Sequence, residues 1–171
     1  MRKMKSLLIA AVMFLGVSST AVMAQTKVAH VDVRALMTEL PAMKNAEAEL
    51  KKIGEGYQKN FETMMSEYQT KIQKYQGEAA TVGDAKNEER AKEIDELQQR
   101  IQQFQTTAQQ DLQKKELELT QPIYEKALAA IQKVGRAKGF QYIMDSSIGQ
   151  GVLLADGTDL ITDVKKELGV K

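Results

Sequence analysis

The side chains able to do chemistry in this sequence are few, and their spacing does not gather them into a site. There is one imidazole, His30, and no cysteine. Without thiols neither a disulfide nor a thiolate metal site can form, and no Ser-His-Asp set can be built without His30. That histidine lies in Lys27-Val28-Ala29-His30-Val31-Asp32-Val33, a short apolar strand, where a lone imidazole reads as a structural residue. Gly149-Gln150-Gly151 and Asp156-Gly157-Thr158-Asp159 resemble phosphate and calcium loops in composition only. The first is neither a Walker A nor a GxGxxG motif, and the second lacks the glycine and distal glutamate of an EF-hand. The other carboxylates alternate with lysines, as on any solvated helix. The expectation is therefore no catalytic residue, no cofactor, no metal and no enzyme activity.

The elements that carry these residues are dominated by a repeat of eleven. Ala46, Leu50, Ile53, Tyr57, Phe61, Met64, Tyr68, Ile72, Tyr75 and Ala79 follow steps of 4, 3 and 4. After a break near Gly83 two rows resume: Leu97, Ala108, Leu119 and Ala130, and Ile101, Leu112, Ile123 and Val134. A period of eleven gives about 3.67 residues per turn, close to a relaxed helix. Two such helices joined by a short turn make an antiparallel coiled-coil hairpin, an arm about 55 Å long. The arm is assigned to residues 43–122, with its tip at 81–84, and Asp84 is a candidate cap for the returning helix. Gly54, Gly56 and Gly77 fall inside it, where each costs roughly 1 kcal/mol against alanine. They imply either an arm that bends or a close approach by its partner. Pro41 suits the first position of a helix. Pro122 interrupts a helical pattern and predicts a kink or restart where the arm meets the body.

Residues 1–24 read as a secretory signal peptide: Arg2, Lys3 and Lys5, an apolar run over 7–17, then small residues up to a cleavage point between Ala24 and Gln25. The apolar run is about half the roughly 20 residues needed to cross a bilayer. Removing 24 of 171 residues leaves 147, with 21 Lys and Arg against 23 Asp and Glu. A balance near neutrality gives no case for nucleic acid.

Residues 25–42 together with 123–171 form the expected body. Strands are predicted at 28–33, 140–145 and 152–155, followed by a short helix carrying Leu160, Ile161, Val164 and Leu168 and capped by Asp159 or Thr162. So little strand cannot build a monomeric core. The body is expected to be completed by other copies of the chain, with Val31, Val33, Ile143 and Leu153 as the candidate body and contact residues. The fold class is mainly α: a long helical hairpin on a small β body completed by oligomerisation.

The signal, the opening strand, the hairpin, the strand at 139–145 and the closing Val152-Leu153-Leu154-Ala155-Asp156 with Asp159-Leu160-Ile161-Thr162-Asp163-Val164 resemble the Skp (OmpH) family of periplasmic chaperones along the whole mature chain. The resemblance implies a jellyfish-shaped homotrimer whose barrel body carries three arms around a cavity. In that cavity unfolded outer-membrane β-barrel proteins are held without ATP. Met65, Tyr57 and Tyr75 are the candidate client contacts, each with the alternative that it packs between the helices. The chain departs from the basic members of the family in charge. Residues 44–80 hold six Lys against six Glu, 84–100 hold four basic against six acidic residues, and only 125–138 is positive, by three. A lipopolysaccharide site is therefore not carried over. An exported coiled-coil spacer or adaptor of an envelope complex is the alternative function.

Overall fold

The computed structural model describes residues 26–170. The expected signal peptide and its cleavage point at Ala24 and Gln25 lie outside these residues. Strand β1 spans Val28–Val31 and helix α1 spans Val33–Glu39. The strand stops two residues earlier than its alternation predicts because Asp32 caps α1. Its Oδ1 accepts the Ala35 N–H at 2.8 Å, the geometry that satisfies an orphan donor at a helix start. Val33 is therefore a helix residue rather than a strand residue.

Helix α2 spans Pro41–Val82 and helix α3 spans Asp84–Ala137. Leu40 is extended (φ −65°, ψ 125°), as the residue before a proline must be, and Pro41 opens α2. Gly83 alone joins the two long helices, at φ 79°. Asp84 lies in the first turn of α3 and makes no side-chain cap. Asn87 instead closes the tip from the other side: its N–H makes the first helical bond, to Gly83 O at 3.1 Å, and its side-chain amide donates to the Ala79 carbonyl in the last turn of α2 at 2.9 Å. At 1.5 Å per residue, 42 and 54 residues make helices of about 63 and 81 Å. Helix α3 does not restart at Pro122 but runs through it.

The remaining elements are β2 at Tyr142–Asp145, β3 at Thr158–Asp159 and α4 at Ile161–Glu167. The sheet has the order β2-β1-β3 and both pairings are parallel. Ala29 faces Ile143 on one side and Thr158 on the other. The predicted strand at 152–155 does not form. The chain leaving β2 passes to the far side of β1, and only Thr158 and Asp159 join the ladder there. The N-cap position of α4 is Leu160, with neither Asp159 nor Thr162 in that place; Asp159, one residue before it, accepts the Ile161 N–H at 2.8 Å, and Gly169, at φ 73°, ends the helix.

The core lies between the inner face of β1 and the helices. Ala29, Val31, Leu36, Met37, Leu40, Ala127, Ala130, Ile131, Val134, Leu160 and Val164 are buried together. Val33, Ile143 and Leu168 pack at its edge. Each large side chain fully buried here contributes about 1.5–3 kcal/mol. Ion pairs from Lys133 to Glu167, Lys138 to Asp163 and Lys165 to Glu39 tie α4 to α3 and α1.

Candidate functional site

The hairpin seam follows the eleven-residue rows. Every residue of the first row from Ala46 to Tyr75 is buried or half-buried, and only Ala79, at the tip, is exposed. Both rows on α3 are covered throughout, with Leu97, Ile101, Ala108, Ala130 and Val134 fully buried. Thin apolar seams of this kind hold two helices together, and near the tip they leave an open groove lined by Ile72, Tyr75, Arg90 and Ile94.

Two of the candidate client residues are engaged across this seam. The Tyr57 ring meets Phe104 edge-on at 5.9 Å between centroids and 68°, and its hydroxyl donates to Asp111. That acceptor raises the Tyr57 hydroxyl above the usual phenol value, with burial and the Asp111 charge adding to it. The Tyr75 hydroxyl donates to Glu93, which also accepts from Lys71. Arg90 lies 4.6 Å above the centre of the Tyr75 ring and pairs with Glu78. The bonds from Lys71 and then Tyr75 hold the Glu93 carboxyl below its ordinary range. Met65 is half-buried beside the seam residue Met64 and has no such commitment.

The glycines of α2 divide from the one that packs. A Cβ added to Gly54, Gly56 or Gly77 would meet nothing within 4 Å, so close approach within the chain does not explain them. Gly135 on α3 is the opposite case. A Cβ there would come within 2.2 Å of Ile143 Cδ1 and 3.2 Å of Ile143 Cγ1, so this glycine lets α3 lie on β2.

The polar residues at the C-terminal ends of β1 and β2 form a clasp that spacing did not reveal. Ser147, only 3% exposed, donates its hydroxyl to Asp145 Oδ1 at 2.5 Å and lies 3.0 Å from Asp32 Oδ1, and its oxygen accepts the Arg34 N–H at 3.0 Å. Burial raises the Asp145 carboxyl, but the Ser147 and Val33 N–H bonds outweigh it and hold the group below its usual value. The clasp joins the start of α1 to the end of β2. His30 Nδ1 sits 3.0 Å from Ser146 Oγ in the same region, a structural bond. No group of His, Cys, Asp and Glu among the described residues is arranged to hold a metal.

A second apolar surface lies outside both seam rows. Leu117, Tyr124 and Leu128 are exposed along α3 at spacings of 7 and 4, so they share one helix face. The same periodicity that defines the seam identifies this face. Two of the four basic residues at 125–138 are paired within the fold, Lys133 with Glu167 and Lys138 with Asp163 on α4.

A hairpin on a small sheet, with a seam of period eleven and α4 clamped to its root, now has its counterpart among known proteins. The family described as outer membrane protein (OmpH-like) matches residues 27–168. The chain belongs to this family. The OmpH-like chain is 27% identical over 169 residues to the chaperone protein Skp of Yersinia enterocolitica, covering 96% of this chain and 99% of that protein. It is likewise 27% identical over 154 residues to the Skp of Pectobacterium atrosepticum, covering 88% and 90%. A solved OmpH-like structure from Caulobacter crescentus CB15 shares the fold at a TM-score of 0.75 and 17% identity, over 84% of this chain and 83% of that one. The matched range takes in the sheet, the whole hairpin and α4. The OmpH-like chain is thus of the Skp chaperone class and not an enzyme.

Proposed function

We propose that the protein is an ATP-independent holdase of the periplasm that binds unfolded outer-membrane β-barrel proteins between helical arms and keeps them from aggregating. The hairpin is the observation that carries this reading. Two helices of 42 and 54 residues spend their apolar residues on a narrow seam and project far beyond the small body. Such an arm offers many weak contacts, and several arms around one client multiply them without any tight site. Its working copy is a homotrimer with 25–42 and 123–171 as body and 43–122 as arm, exported by the signal peptide and cleaved after Ala24.

Met65 is the client contact with free surface on the arm. Tyr57 and Tyr75 are the weaker candidates, since both ring and hydroxyl serve the hairpin, through Phe104 and Asp111 and through Arg90 and Glu93. The grip is more apolar than electrostatic, because the arm is balanced in charge and two of the four basic residues at its root are paired. No lipopolysaccharide site is proposed.

The test is a titration of fluorescently labelled, urea-unfolded outer-membrane β-barrel protein with the mature chain, residues 25–171, beside the same client already folded in detergent. Saturable binding to the unfolded client alone supports the holdase. Binding to neither, with stable capture by a membrane complex instead, supports the spacer or adaptor.

A further inference from the structure

The groove near the arm tip is apolar at its floor and small at its lips. Ile72 and Ile94 are half-buried at the end toward the body, while Ala79 and Ala91 are exposed. These short side chains leave a space of about 600 Å³ between the two helices. One wall is fixed in advance. The Tyr75 hydroxyl donates to Glu93 and its ring lies under Arg90, so this side chain has no freedom left to lose when something binds.

Arg90 lines the same groove and is short of a partner. Its Nη2 serves Glu78, but its Nη1 is buried with no acceptor. A buried donor left unpaired is costly, and such exceptions are few in folded proteins. An acceptor entering the groove, with a small parting of its lips, ends that deficit. Residues 84–100 carry four basic against six acidic side chains, so the tip disfavours a carboxylate or a phosphate. A neutral main-chain carbonyl flanked by apolar side chains suits both the donor and the floor. From Ile72 to Ala79 the groove follows α2 for about 10 Å, the reach of about three residues of extended chain.

We propose that this groove is a client subsite: it takes about three extended residues of an unfolded β-barrel protein, with alternate apolar side chains entering it and a main-chain carbonyl accepting from Arg90 Nη1. Strands of a membrane barrel alternate apolar and polar residues, so two apolar side chains of one strand point the same way, and a polar loop offers no such pair. This rests on the holdase reading and deepens it. Met65 gives the arm general apolar surface, whereas the groove selects a period of two. Each contact is weak, and several arms on one client add up.

The chain has no cysteine of its own, so one photoreactive benzophenone can be placed at will in the full mature protein. Carried by A91C at the lip, it is expected to cross-link urea-unfolded outer-membrane β-barrel protein, through peptides of its alternating strands. Carried by K74C, exposed on the far side of α2, it is expected to give only background. A79L/A91L fills the groove with side chains of nearly equal helix propensity. R90K keeps the charge and loses the planar second donor. Each variant is expected to weaken client binding about fivefold with its helical circular dichroism unchanged. Unchanged or tighter binding in either variant, equal cross-linking from 91 and 74, or cross-links confined to client loops would overturn the groove and leave the holdase standing. A natural chain that binds no unfolded client would overturn both.

Discussion

Gly135 and the three arm glycines make opposite predictions from one backbone fact. In G54A or G77A the new methyl meets open space and removes a helix penalty, so each variant should gain about 0.5–1 kcal/mol in urea unfolding. In G135A the same helical gain is set against Ile143, which must leave its rotamer to admit the methyl. Overpacking costs about 1–3 kcal/mol, so G135A should lose about 1 kcal/mol in the same measurement. If bending matters to the grip, the stabilised arm variants will hold large clients less well than the natural chain. Ser147 belongs to the same scale. S147A leaves the Arg34 N–H and two carboxylates short of a buried partner, and should cost about 1–3 kcal/mol. Neither residue stood out in the sequence. The role of Gly135 depends on where β2 lands, and Ser147 joins groups more than 110 positions apart.

The hairpin was legible as an element because its signal is periodic and local. A seam of ten residues spaced 4 and 3 apart fixes which face is covered before any tertiary contact is known. The short strands were not legible in the same way. The stretch 152–155 has better strand composition than Thr158-Asp159, yet only the latter meets β1, because parallel pairing is decided by where the crossing chain arrives. Val33 was lost to α1 by a single cap at Asp32. The arm tip also carries a pH dependence. Glu93 is held ionised by Lys71 and Tyr75, so its folded pKa lies below that of an unfolded chain, about 4.3. The stabilisation is therefore complete above that value and is lost as pH falls through the folded value. Protection of the amides around 71–75 and 90–93, taken relative to the intrinsic exchange rate, should fall as Glu93 is protonated, while protection near Val31 persists. In E93Q the tip should be loosened already at pH 7, with the remaining step removed.

At the scale of the whole molecule, one chain presents a body too small for its arm and leaves apolar surface on both sides of its sheet. On the proposed reading those surfaces take further copies and the arms take a client. Composition offered little for catalysis, with one histidine and no cysteine, and the expectation of a binding protein rested on that together with the arm. Sequence periodicity showed the arm, and the family resemblance supplied the task. The exposed face of Leu117, Tyr124 and Leu128 was readable from spacing once the seam was subtracted, but its meaning depends on the edge strand beside it.

The central claim is that the assembled arms hold an unfolded β-barrel and stop it aggregating. It is tested most directly by light scattering, with an unfolded outer-membrane β-barrel protein diluted out of urea into the mature chain and no nucleotide present. Suppression that saturates near three chains per client is the predicted result. Scattering that rises as fast with a large excess of the chain as without it would contradict the account.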